Sequence, residues 1–103
     1  MRFLDRIPNN LGSELVSITK QDHYMEVITK QGSKTLHMKM ADAVAELKNY
    51  PGLQIHRSHW VASDEILTLK RQGRKTFALL KDGRALPVST TFKEPLVSLI
   101  GAK

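Results

Sequence analysis

The chain has 103 residues, 41% of them hydrophobic and 25% charged, which suits one globular domain with a modest core and is too short for two. It contains no cysteine, which excludes disulfides, thiolate metal sites and cysteine nucleophiles. The net charge of +6 falls in residues 70–103, where eight Lys or Arg face two acidic residues, whereas residues 1–69 hold eight of each sign. Such a surplus is either an ordinary solvated surface or a face for an anionic polymer.

The N-terminal half is predicted to be a short lead-in followed by three strands. Residues 1–12 are expected to form a strap that packs apolar side chains on the domain, or the end of an interdomain linker, because Pro8 and Gly12 exclude a long helix. The domain itself is predicted over 13–103. Alternating apolar residues predict strands at 15–19, 24–29 and 35–40, with a compact hairpin turn at 31–33.

One helix is predicted, directly after the third strand. Met40, Ala43, Val44 and Leu47 follow the i, i+3, i+4, i+7 spacing of a single helical stripe. Pro51 excludes helical geometry at the residue before it, so the helix is expected to be short.

The C-terminal half is predicted to return to strands. They are expected at 55–61, as one segment bent near Ser58, and at 65–70, 76–80 and 86–88. Residues 81–84 carry the pattern of a type I′ hairpin turn, and Pro87 marks the last strand as an edge strand. Residues 92–99 are expected to form a short helix or strand. The pattern as a whole predicts a mostly β fold with one helix.

The segment 54–61 is chemically unusual for a strand. His56, Arg57 and His59 place hydrogen-bond donors where a core strand would carry Val, Thr or Leu. Donors on a short, bounded segment suit a surface that reaches phosphates or base edges. Further polar groups lie at other bends, at 21–23 and at 89–93, and loops on a rigid β scaffold are a common place for recognition.

Signals for an enzyme or a metal site are weak. On one continuous strand His56 and His59 would point to opposite faces, so their spacing does not predict a chelate. Ser58 with His59, or Ser89 with a distant histidine, lacks a nucleophile elbow or triad spacing. We therefore expect no catalytic residue, no metal and no cofactor.

Three short motifs resemble those of the LytTR family of bacterial DNA-binding domains. They are the D-H-Y step at 22–24, the I-H-R-S-x-x-V segment at 55–61 and the D-G-x-x-L-P-V-S segment at 82–89, in that order and at compatible distances. The resemblance extends from about Ser13 to about Leu96. It implies an elongated antiparallel β sandwich of small sheets with one short helix. It also implies sequence-specific binding of double-stranded DNA by loops inserted into successive major grooves.

The resemblance assigns DNA base contacts to His23, Arg57 and Thr90. Arg57 can pair with guanine O6 and N7, a contact worth about 1–3 kcal/mol of discrimination. Thr90 stands where the family commonly has arginine, so the third contact is expected from a hydroxyl or from nearby Lys93. Phosphate or supporting contacts are expected from a larger set: Lys20, Lys39, Ser58, His59, Ser89, Lys93, Arg74 and Lys75.

The resemblance also implies partners and a setting. The expected partner is double-stranded DNA with promoter repeats, bound by a monomer or by a homodimer on the DNA. Family members regulate transcription in bacteria, usually joined to a sensor, receiver or membrane domain. The expected location is cytoplasmic, including the cytoplasmic part of a membrane-anchored regulator. No apolar run approaches the ~20 residues needed to span a bilayer.

Structural interpretations of the same residues remain open at this point. The alternatives are Arg57 as a surface ion-pair partner of Asp64 or Glu65, His23 as a turn cap, and His56 as a brace for its loop. Trp60 and Phe77 are expected in the core. Two other functions are also open: a protein-interaction module that pairs the 55–61 edge with a partner strand, and a small hydrolase with a Ser/His pair.

Overall fold

The computed structural model describes residues 3–92, which form two antiparallel sheets, one α-helix and short 3₁₀ helices. The strands are β1 (Leu15–Gln21), β2 (Tyr24–Thr29), β3 (Gly32–Leu36), β4 (Gly52–His56), β5 (His59–Ala62), β6 (Ile66–Gln72), β7 (Lys75–Leu80) and β8 (Ala85–Val88). The helix α1 is Met40–Glu46. The 3₁₀ helices are Phe3–Arg6, Asn9–Leu11 and Ser63–Glu65.

The larger sheet has five strands in the order β3-β2-β1-β5-β4, and both of its faces are covered. On one face, Ile18, Met25 and Trp60 pack with α1 and the N-terminal 3₁₀ segment. Val16 packs on the opposite face, and the register shifts between Leu15 and Ser17. Because a bulge adds one residue to a strand, Leu15 and Ile18 can lie on the same face although they are three positions apart.

The smaller sheet has the order β6-β7-β8 and packs on the second face of the larger one. Ile55 and Val61 meet Ala78 and Leu80 in this second core. The domain is therefore a β sandwich with one helix on its outer side, and the predicted fold class is confirmed. Pro87 pairs with Phe77 on the edge strand β8, as expected for a residue without an N–H group.

The N-terminal segment is held by apolar contacts and one ion pair. Phe3 and Ile7 are buried against the core beneath α1. Arg6 Nε and Nη2 donate to the two carboxylate oxygens of Glu46 at 2.9 and 2.8 Å. This hydrogen bonding lowers the pKa of Glu46. The pair ties the segment to α1.

Several predicted element boundaries were wrong. Residues 55–61 form two strands, β4 and β5, joined by a turn at Arg57-Ser58. The strand predicted at 35–40 ends at Leu36, and Ser63–Glu65 is 3₁₀ helix ahead of β6.

The turn after β7 also differs from its prediction. Leu80 N donates to the Arg84 carbonyl at 2.9 Å, which closes a three-residue loop over residues 81–83. Of these residues only Gly83 has a positive φ, 95°, whereas a type I′ turn needs two. Residues 90–92 have helical backbone, and the rest of the predicted segment 92–99 lies outside the described residues.

No helix within residues 3–92 is long and apolar enough to cross a membrane. The molecule measures 38 × 25 × 23 Å.

Candidate nucleic-acid interface

Strand pairing places the β1–β2 turn and the β4–β5 turn at the same end of the molecule. Thr19 of β1 lies opposite His59 of β5, so the end of β1 is beside the start of β5. Lys20 N donates to the Ser58 carbonyl at 2.8 Å, which connects the two turns directly. His23 and Arg57 occupy these turns, and both side chains are exposed.

Three further segments reach this end, which we call the loop end. Ser89 N donates to the Ile55 carbonyl at 3.0 Å and ties the end of β8 to β4. Val88 lies opposite Thr76, so the β6–β7 turn is next to the end of β8. Lys20 Nζ donates to the Met38 carbonyl at 3.3 Å, which places the 37–39 segment there as well.

The loop end is rich in exposed cations. Lys39 precedes α1, and Arg57 lies in the β4–β5 turn. The β6–β7 hairpin carries further exposed cations: Lys70, Arg71, Arg74 and Lys75. Arg57 makes no ion pair with any residue in the range 3–92, and Asp64 and Glu65 lie at the opposite end of the domain. The structure therefore rules out the interpretation of Arg57 as their partner.

A cleft of about 480 Å³ opens between the two sheets at the loop end. Its lining includes His56, Ser89 and Thr90 together with Arg74 and Lys75. Phe77 lines it too and is only half-buried, so the prediction of a core position was wrong for this residue. Trp60, by contrast, is 2% exposed and lies in the core, as predicted.

The histidines of the β4–β5 hairpin face each other. His56 and His59 are paired across the turn, with ring centroids 5.3 Å apart. The premise that they lie on opposite faces was wrong, because it treated a tight hairpin as one strand. Within residues 3–92, no group of three or more His, Asp or Glu side chains is arranged to hold a metal ion.

The histidines and serines of this end do not hydrogen-bond to one another through their side chains. His56 Nδ1 accepts from the Ser58 backbone N–H at 3.1 Å, and His59 Nδ1 lies 3.1 Å from Thr19 Oγ1. Ser89 Oγ is buried and has no hydrogen-bond partner among residues 3–92. This geometry gives no support to the Ser/His hydrolase.

A family model of the LytTr DNA-binding domain matches residues 11–101. The chain belongs to this family. It is therefore a DNA-binding domain, as the three motifs indicated.

A solved structure shows the same fold. It is the LytTr DNA-binding domain of a putative methyl-accepting/DNA response regulator from Bacillus cereus. The TM-score is 0.73 at 18% identity, over 85% of this chain and 82% of that chain. No curated protein matches the chain.

The other residues that were expected to touch DNA, as far as the structure describes them, also lie at the loop end. Lys20 and His59 are partly buried, and Ser58 is held by its backbone. Thr90 is exposed at the start of the helical segment that follows Ser89. Lys93 lies outside the described residues. Arg84, also basic, lies between β7 and β8, where it donates to Asp82 and to Ser17 Oγ.

The interpretation of His56 as a brace for its loop is confirmed, since its Nδ1 accepts from the Ser58 N–H. Sequence reasoning missed the second bond of this brace, which Gln54 makes. Gln54 Nε2 donates to the His56 carbonyl at 3.1 Å, in addition to the bond between His56 and Ser58 N. The H-x-x-H spacing of His56 and His59 was the available signal, since a two-residue turn would make these rings cross-strand neighbours.

We expect acid to destabilise the domain through His59. Burial, then the nearby His56 and Arg84, lower the pKa of His59. An imidazole in the unfolded chain titrates near pH ~6.5, so below that pH the unfolded state binds more protons than the folded state. The free energy of unfolding should be steady above about pH 7 and fall as the pH drops below about 6.5.

Urea unfolding at a series of pH values measures this effect. The His59→Gln variant should lose the part of the decline that His59 causes. An identical pH dependence in the variant and the wild type would contradict the assignment.

Proposed function

We propose that this LytTr domain binds double-stranded DNA sequence-specifically, as the output domain of a bacterial transcriptional regulator. One observation carries the proposal: the β1–β2 turn, the β4–β5 turn and the end of β8 meet at one end of the sandwich, surrounded by exposed cations. A basic face of this kind binds the phosphate backbone, and polar side chains on turns read base edges.

We propose base contacts from His23, Arg57 and Thr90. Arg57 is exposed and supplies the forked donors that match guanine O6 and N7 in the major groove. His23 donates or accepts one hydrogen bond according to its tautomer. Thr90 offers a hydroxyl, which makes a less selective contact than arginine.

The dimensions of the domain limit how it meets DNA. Successive major grooves on one side of a B-form duplex are about 34–36 Å apart. The domain measures 38 Å in its longest dimension and 25 Å in the next. We therefore propose that its long dimension lies along the duplex, so that turns enter two consecutive major grooves.

The wider setting is proposed from family membership. Copies of the domain would occupy promoter repeats, and two of them would form a homodimer on the DNA. The domain would act within a longer cytoplasmic or membrane-anchored regulator that also carries a sensor or receiver domain. Binding alone accounts for this role, so we propose no reaction and no cofactor.

Selection of bound duplexes from a random pool tests the proposal. We expect enrichment of a short motif, with repeats separated by about one helical turn, bound at least ~10³-fold more tightly than unrelated duplex at physiological salt. Enrichment of no motif would contradict sequence-specific recognition. The absence of any gel shift would point instead to the protein-interaction module, for which β4 is the outermost strand of its sheet among the described residues.

Phosphate contacts by the β6–β7 turn predict a change in salt dependence. In the double variant Arg74→Ala/Lys75→Ala, the slope of log affinity against log salt should become shallower by about 1.8, since each lost phosphate contact removes ~0.9. Fluorescence anisotropy at several salt concentrations measures this slope.

The control is Lys48→Ala/Lys81→Ala, which removes the same charge from exposed positions at the opposite end. Its slope should equal that of the wild type. Equal changes in the two double variants would mean that the slope reports net charge and not contacts.

A further inference from the structure

The two peptide groups that flank Arg57 are both held by side chains of the preceding strand. The His56 carbonyl belongs to the peptide group before Arg57, and it accepts a hydrogen bond from Gln54 Nε2 at 3.1 Å. The Ser58 N–H belongs to the peptide group after Arg57, and it donates to His56 Nδ1 at 3.1 Å. The backbone on each side of Arg57 is thus oriented by a specific side-chain bond.

The bond to His56 depends on its protonation. An imidazole nitrogen accepts a hydrogen bond only when it carries no proton, and both nitrogens of a protonated ring are donors. The Ser58 N–H therefore requires His56 in the neutral form with its proton on Nε2. A proton on Nδ1 would remove the acceptor and release the turn.

The titratable and charged side chains that lie around His56 in the described structure are all basic. His59 faces it across the turn at 5.3 Å, with Arg84 acting on His59 from the other sheet. Arg57 is adjacent in the chain, and Arg74 and Lys75 line the same cleft from the β6–β7 turn. No carboxylate lines this cleft among the residues that the structure describes.

We infer that His56 is the positioning residue for Arg57 and that its protonation loosens the turn, so that discrimination between DNA sequences falls with falling pH. The inference rests on the proposed role of Arg57 in base reading. It deepens that proposal by adding a residue that need not touch DNA and a condition under which recognition weakens.

Two substitutions of His56 separate positioning from simple packing. In His56→Asn, Oδ1 can take the place of Nδ1 as acceptor and has no proton to gain. His56→Leu places an apolar side chain of moderate size at this position, and it offers no hydrogen-bond acceptor. His37→Asn is the control, since His37 is an exposed histidine at the same end of the domain.

The readout is the ratio of affinities for the selected duplex and for unrelated duplex. This ratio cancels the general gain in binding that any added positive charge brings. At about pH 7.5 we expect His56→Asn to match the wild type and His56→Leu to lose roughly 3- to 10-fold in the ratio, the cost of one hydrogen bond. As the pH is lowered from about 7.5 to about 5.5, the ratio should fall in the wild type and in His37→Asn and stay flat in His56→Asn.

Hydrogen exchange of the Ser58 amide in the free domain gives a second measurement that does not involve DNA. We expect protection in the wild type and in His56→Asn, and its loss in His56→Leu. If protection is lost but the affinity ratio is unchanged, the base-reading role of Arg57 is wrong while the brace is real. If protection is unchanged in His56→Leu, or if His59→Gln abolishes the pH dependence while His56→Asn retains it, the inference is overturned.

Discussion

Replacing Arg57 with alanine should weaken binding to the selected duplex by roughly 5- to 150-fold, the equivalent of the about 1–3 kcal/mol carried by a bidentate contact to guanine. Binding to unrelated duplex should change far less. The reason is geometric: Arg57 is exposed in a two-residue turn and makes no ion pair with any residue from 3 to 92, so its guanidinium is available to a base. Competition binding with both duplexes measures the two affinities.

Arg57→Lys is the matched control because it keeps the positive charge and removes the forked N–H donors of the guanidinium. Lysine binds phosphate as a point charge but cannot reproduce a bidentate pair with guanine. We therefore expect Arg57→Lys to retain binding to unrelated duplex and to lose most of the preference for the selected one. Equal losses of both affinities in Arg57→Ala would identify Arg57 as a phosphate contact.

Replacing Trp60 with alanine is expected to have the largest effect on stability. The indole is 2% exposed, meets Tyr50 edge-on at 5.7 Å between ring centroids, and packs over Gly52, where any Cβ would collide with the ring. Truncation of such a side chain costs about 3–5 kcal/mol through lost burial and the cavity left behind. Because small domains are stable by only ~5–15 kcal/mol, the variant should be partly unfolded at moderate temperature.

Urea denaturation with fluorescence or circular dichroism measures the loss. The control is Leu67→Ala, since Leu67 is 61% exposed and its removal should change the free energy of unfolding by less than about 0.5 kcal/mol. A small effect of Trp60→Ala, similar to that of Leu67→Ala, would show that Trp60 does not hold β5 against the helix side of the core.

The strands and the helix were predictable where the side-chain period was regular. In β2, Met25 and Val27 are buried on one face, and in α1 the stripe that begins at Met40 and Ala43 is buried. The side-chain period did not predict that residues 55–61 divide into two strands. Arg57 and Ser58 both have negative φ, so the turn needs no glycine or asparagine, the residues that usually mark a two-residue hairpin turn.

The irregular register of this hairpin also follows from the negative φ values of its two turn residues. A turn with two negative φ values does not match the twist of the flanking strands, and the pairing shifts between Gln54 and His56 to accommodate it. Only the tertiary structure shows this, because the adjustment is made between strands and not within one of them.

By itself the sequence determined the family, the mostly β composition and the residue types offered to DNA, because motifs and alternating burial are local properties of the chain. The tertiary structure decided which of those residues share a surface. His23, Arg57 and Thr90 are separated by more than thirty positions each, and antiparallel pairing brings their turns to one end. The brace between His56 and Ser58 likewise depends on a two-residue turn, since ring and amide meet only when the chain reverses at that point.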